Sequence, residues 1–180
     1  MFYFFSQGKM KRFLFAGLVL FLLTALFGGC KLDGAEDDVN QPGTLPGGLV
    51  GKWTTAYDYF EISKSANTEI VKYDDGGYGF GYEGIIKFVS NYDSKSGVII
   101  IQYTTGAPDA ARPFHAIYYL DFTGRTISLN NTFDATAADY NADAATLEEA
   151  AGKFTKGNMG NYIDASMAPE YTGIPGNTNP

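Results

Sequence analysis

The chain has 180 residues, 13 basic and 20 acidic side chains, a net charge of −7 and a single cysteine, Cys30. One cysteine excludes an internal disulfide and a multi-cysteine zinc site. The acidic balance argues against nucleic acid and anionic headgroups as partners of the folded part, since like charge repels them.

The N-terminus has the order of a secretory signal: Lys9, Lys11 and Arg12, an uncharged apolar run over 13–27, then Gly28 and Gly29. With Cys30 directly after the small residues, residues 1–29 resemble a bacterial lipoprotein signal peptide. Phe27, not Leu, stands three residues before the cysteine. The resemblance implies cleavage before Cys30, acylation of its sulfur (palmitate among the acyl groups) and a lipid anchor in the bacterial membrane. The outer membrane or cell surface is expected rather than the inner membrane. The apolar run is marginal for a spanning helix, which needs about 18 residues or more. Met10-Lys11-Arg12 makes a more economical start than Met1. Cleavage removes three basic residues and leaves 10 basic against 20 acidic, a net charge of −10.

Residues 30–48 carry Asp33, Glu36, Asp37 and Asp38, followed by Pro and Gly. Low hydrophobicity with charge cannot bury enough surface to fold, so a disordered acidic tether is expected there. From Leu49 onward the texture changes, and 49–165 is expected to form one β-barrel domain. Stretches 53–62, 68–73, 82–92, 98–104, 114–122 and 125–131 are rich in Ile, Val, Tyr, Phe and Thr, with Gly, Pro, Asn, Asp or Ser between them. Short strands separated by turn signals indicate an antiparallel sheet curled into a barrel or sandwich, and a mainly β, antiparallel meander closing into a small barrel is expected. Residues 159–163 offer a possible seventh strand. In 114–122 the alternation predicts that Phe114, Ala116, Tyr118, Leu120 and Phe122 face the core, opposite His115, Ile117, Tyr119 and Asp121. Val98-Ile99-Ile100-Ile101 is apolar on both faces, which predicts a central strand or one covered by another element.

Thr146-Leu147-Glu148-Glu149 is a capping box that opens a helix, with Leu147, Ala150, Ala151 and Phe154 on one face and Gly157 at its end. So short a helix must pack to persist, and one end of the barrel is the expected place. Residues 166–180 are expected to form a flexible tail.

Leu49-Val50-Gly51-Lys52-Trp53 resembles the Gly-x-Trp start of lipocalin-like barrels, which implies a buried Trp53 plugging the closed end. Signal, acidic tether, aromatic β-rich domain and Leu-Glu-Glu-Ala helix together resemble uncharacterised spirochaete lipoproteins. The stretch from Tyr73 to Gly84, Tyr-Asp-Asp-Gly-Gly-Tyr-Gly-Phe-Gly-Tyr-Glu-Gly, carries most of that resemblance. It implies no catalytic residues.

Gly79-Phe80-Gly81-Tyr82-Glu83-Gly84 matches a dinucleotide fingerprint, but that loop needs a following helix and 85–92 reads as strand. An aromatic hairpin loop is expected instead, with Tyr78, Phe80 and Tyr82 as candidate ligand-binding rings. Asp134, Asp139, Asn141 and Asp143 offer oxygens for a loose cation site; an EF-hand fails because Ala144 and Ala150 replace its Gly and Glu. His115, the single histidine, lies about 20 Å along extended chain from Asp121 and has no companion nucleophile motif, so a surface or loop-facing position is expected. Asp58 and Glu61 fall on opposite strand faces. No catalytic residue and no cofactor follow. The expected function is non-enzymatic binding at the cell envelope, of an unknown protein or small ligand. A hydrolase with a dispersed carboxylate site and a structural coat lipoprotein are the alternatives. A hollow barrel would point to a ligand or substrate, a filled one to the structural role.

Overall fold

The structure, a computed structural model, describes residues 43–164 and 169–175. The expected signal peptide, Cys30 and most of the expected tether therefore lie outside the described residues. Eight antiparallel strands form a closed barrel: β1 (Gly51–Thr54), β2 (Tyr59–Ser65), β3 (Thr68–Asp74), β4 (Gly81–Asn91), β5 (Gly97–Thr105), β6 (Phe114–Leu120), β7 (Thr126–Asn131) and β8 (Glu170–Pro175). Each pairs with its neighbours in sequence, and β8 closes on β1. Two short helices, α1 (Leu147–Lys153) and α2 (Met159–Tyr162), lie between β7 and β8.

Three strand expectations change. The stretch 53–62 is two strands, because Thr55 and Asp58 fold 55–58 into a turn: the Thr55 amide donates to the Asp58 carbonyl at 2.9 Å, and Thr55 Oγ1 accepts from the amides of Tyr57 and Asp58. The possible strand at 159–163 is helical. The eighth strand comes from the expected tail, so the barrel reaches past residue 165 to Pro175. Residues 43–48 also depart from the disordered tether expected over 30–48. Gly43 donates to the Val89 carbonyl, Asn91 Nδ2 donates to the Thr44 carbonyl, and Leu49 is fully buried, so 43–48 is pinned along the barrel.

An eight-stranded barrel has a lumen just wide enough for side chains to fill. Trp53, Val71, Ile99, Ile101, Tyr119 and Ile127 are fully buried there, so at their level the lumen is packed solid. The ends differ. The β2–β3, β4–β5 and β6–β7 turns and the incoming Leu49 lie at one end, where Trp53 meets Phe122 edge-on at 5.9 Å and donates its indole N–H to the Leu49 carbonyl at 2.9 Å. The expected burial of Trp53 near a closed end is met. Loops 55–58, 75–80, 106–113 and 132–146 gather at the other, open end.

A second apolar cluster lies outside the barrel wall. Val98 and Ile100 of β5, Ala116 and Tyr118 of β6 and Phe88 of β4 pack beneath Ala150 and Phe154. Helix α1 thus covers the side of the barrel rather than its end, which accounts for the doubly apolar β5. Its capping box forms, with the Glu149 amide donating to Thr146 Oγ1 at 3.1 Å. The helix stops at Lys153, before Gly157. The expected inward face of β6 is the outward one: Phe114, Ala116 and Tyr118 belong to the helix-covered cluster, while His115, Ile117 and Tyr119 enter the lumen. In β4 a register shift between Ile86 and Phe88 sets Ile86 inward, opposite Ile101, and Phe88 outward, opposite Ile100.

Candidate functional site: the open end of the barrel

Two carboxylates, Asp143 buried and Asp58 half-buried, organise the open end. Asp58, from the β1–β2 turn, accepts hydrogen bonds from Tyr171 at 2.7 Å and Tyr73 at 3.3 Å through Oδ2, and from Thr55 through Oδ1. Asp143, from the long β7–α1 connection, meets His115 Nδ1 at 2.7 Å. It also faces the Tyr103 hydroxyl. His115 and Asp143 are only 5% and 4% exposed. On the far side of the imidazole, Nε2 lies 3.1 Å from Asn131 Oδ1, which accepts the Tyr82 hydroxyl at 2.5 Å. Tyr103 stacks on the imidazole at 5.5 Å and Tyr82 meets it edge-on at 5.3 Å. Rings then run from Tyr82 through Tyr73 to Phe60, joining the two clusters.

Enclosure shows in the phenols. Burial, and then the Asp58 carboxylate, push Tyr73 up to about 12. Burial first and Asp143 second raise Tyr103; burial first and the bond to Asp58 second raise Tyr171. In each case desolvation of the phenolate is the leading cause. These tyrosines act as neutral donors holding two carboxylates beneath the mouth.

His115 is therefore not the surface residue its isolation in sequence predicts. Nor is it placed as a general base here, because Nε2 faces the Asn131 amide oxygen, an acceptor with no proton to give up, rather than a nucleophile. Ser128 sits on the opposite face of β7 from Leu129 and Asn131, so it does not join the imidazole.

The four oxygen-bearing residues proposed as a cation site do not converge. Asp143 turns inward to His115. Asp139 takes Arg112 at 2.5 Å, Asp134 accepts from the Thr136 amide and hydroxyl, and Asn141 Oδ1 accepts from the Asp143 amide. Each carboxylate is satisfied by its own neighbour, and among the described residues no group of three or more His, Cys, Asp or Glu side chains is placed to hold a metal.

The three candidate rings also divide. Tyr82 is buried in the lumen. Tyr78 and Phe80 are 85% and 47% exposed on the β3–β4 loop. That loop is braced by its aspartates: Asp74 accepts from the Gly76 amide at 2.9 Å, and Asp75 accepts from Gly77 at 3.2 Å and Phe80 at 2.7 Å. Gly76 has φ +69 and its α-carbon lies so near the Tyr57 carbonyl that a side chain there would clash with it. The loop encloses an open hollow of about 240 Å³ lined by Asp74, Asp75, Gly77, Gly79, Phe80 and Gly81. Phe80 leans over Tyr73 and Tyr82, at 6.1 and 6.2 Å, so its inner edge continues the lumen's aromatic column.

Sequence reasoning missed the His115–Asp143 pair and the Asp58–Tyr73–Tyr171 cluster. The partners are 28 and 113 residues apart for the longest links. The one available signal was the alternation of β6, equally apolar on both faces and so silent about which enters the lumen.

Comparison with protein-family models, with curated proteins and with solved structures finds no match to this chain. What the fold and site define is a closed eight-stranded meander barrel, filled at one end and bearing an aromatic, acidic mouth at the other.

Proposed function

We propose that this protein is a lipid-anchored, non-enzymatic binding module of the cell envelope that captures its partner with the loops of the open end. One observation carries the reading. The large hydrophobic side chains exposed among the described residues, Tyr57, Tyr78, Phe80, Phe133 and Tyr140, all belong to open-end loops, none to the closed end. Scattered exposed rings need no explanation, but confinement to one end does. Tyr offers large amphipathic contact area with few rotors, which suits capture.

The packing of the lumen at the level of Trp53, Val71 and Ile99 speaks against a ligand held there and for a structural role; the grouped rings support capture at the rim. The described chain enters at the closed end, through Gly43, so a tether at residues 31–42 would attach opposite the mouth. A hydrolase reading has less support, because the His115 nitrogens are both engaged within the protein.

The test is photo-crosslinking in intact cells. A photoreactive residue in place of Tyr78 should give a discrete crosslinked species, and one in place of Thr123 at the closed end should not. The double variant Tyr78→Ser/Phe80→Ser should lose capture while stability changes by less than about 1 kcal/mol, as at other surface sites. Equal crosslinking from both ends, or a loss of several kcal/mol with capture retained, would refute the reading.

A further inference from the structure

Charge is distributed over the barrel as unevenly as the exposed rings. The closed-end turns 92–96 and 121–125 are balanced, with Asp93 and Asp121 against Lys95 and Arg125. The four open-end loops, with Asp74 at the end of β3, hold seven aspartates against one arginine and no lysine. Arg112 is taken by Asp109 at 2.9 Å and Asp139 at 2.5 Å. Asp58 and Asp143 are turned inward. Among the described residues no ion pair within 4 Å reaches Asp74, Asp75 or Asp134, but Lys72 lies near Asp74, and Lys153, which donates to the Ala142 carbonyl, lies near Asp134, so the rim is acidic in net excess rather than free of cations.

We infer that the mouth is a docking surface for a lysine- or arginine-bearing polypeptide segment. This rests on the binding-module reading above and names its partner. Complementarity selects the occupant: a rim with a net excess of aspartates over its neighbouring Arg112, Lys72 and Lys153 attracts a cationic segment and repels an acidic one. The β3–β4 loop then supplies a seat for one side chain. Its hollow is lined by Asp74, Asp75 and Phe80, the acidic and aromatic residue types that an ammonium or guanidinium group favours. Tyr78, Tyr57 and Tyr140 offer rings for the aliphatic stems of neighbouring lysines or arginines.

The experiment uses the full chain in detergent micelles and a fluorescein-labelled octalysine peptide, with octaglutamate as control, read by anisotropy. Octalysine should bind, and salt should weaken it by screening. Asp74→Asn/Asp75→Asn should weaken binding roughly tenfold, while the charge-matched closed-end pair Asp93→Asn/Asp121→Asn changes it by less than about twofold. Asparagine keeps the Asp74 oxygen that accepts from Gly76 and one of the two Asp75 oxygens that accept from Gly77 and Phe80, and Trp53 emission checks that each variant stays folded. Tyr78→Ser/Phe80→Ser should weaken octalysine roughly fivefold at unchanged charge. Equal losses from both aspartate pairs would reduce the effect to general acidity and overturn the inference, as would tight octaglutamate binding or no octalysine binding. If octalysine fails while crosslinking from position 78 persists in cells, the cationic partner is refuted and the binding module stands. If both fail, the module itself is refuted.

Discussion

Gly173→Ala is a sharp test of the barrel's closure. Gly173 faces Trp53 across the β1–β8 ladder. A methyl there would sit 2.3 Å from Cε3 and 2.7 Å from Cδ2 and Cζ3 of the indole, where carbon pairs rest at about 3.5–4.0 Å. One of the two must give by more than an ångström. The ring has little freedom to do so, being fully buried, tied to the Leu49 carbonyl and held edge-on by Phe122. Overpacking by one methyl costs about 1–3 kcal/mol. Displacing the indole adds about 1 kcal/mol for its hydrogen bond. Alanine returns up to about 1 kcal/mol by restricting the unfolded chain. A net loss of about 2 kcal/mol is expected, or roughly 8 °C in Tm for a domain of this size. Urea unfolding by far-ultraviolet circular dichroism measures it, and Trp53, the single tryptophan, reports the displacement through its emission. In a Trp53→Phe background two of the three carbons under the methyl, Cε3 and Cζ3, are gone, so the same substitution should cost distinctly less than in the parent, and the double-mutant cycle isolates the contact. A cost below about 1 kcal/mol in the parent, or an equal cost in both backgrounds, would show that β8 does not lie against Trp53.

Asp143→Ala strands the buried His115 and the Tyr103 hydroxyl and should cost about 3 kcal/mol in the same unfolding assay, Asp143→Asn distinctly less; a neutral Asp143→Ala would remove the pair from the stability of the mouth. Alkali is expected to unfold the protein through its enclosed phenols. Tyr73 is raised to about 12 in the folded state from an ordinary value of about 10. Its contribution is whole below about pH 10 and is lost toward pH 12, where the unfolded chain has released a proton that the folded chain still holds. A urea midpoint that stays level across that range would contradict the enclosure. Cys30→Ala should abolish metabolic lipid labelling and partition into detergent; normal labelling of that variant would refute the anchor.

What the sequence by itself determined is what local periodicity and local chemistry control. Strand character over 68–73, 98–104 and 125–131, the capping box at Thr146 and the aromatic hairpin loop at Tyr78 and Phe80 each depend on neighbours within a few residues, and each is found in the structure. Burial of Trp53 followed from the same kind of short pattern. Which face of β6 enters the lumen did not follow, because Phe114, Ala116 and Tyr118 are as apolar as Ile117 and Tyr119, and only the arrival of α1 on the outside separates them. The orientation of Phe88 turned on a register shift between Ile86 and Phe88, which changes the parity of the strand without leaving a mark in composition. The pairing of His115 with Asp143 required a long connection to fold back across the barrel mouth. Closure itself was decided last and from farthest away. Glu170–Pro175, with its glycine and proline, has little strand propensity of its own. It becomes a strand because β1 and β7 each present an unpaired edge, and because a residue without a side chain is needed where the barrel closes over the face of Trp53.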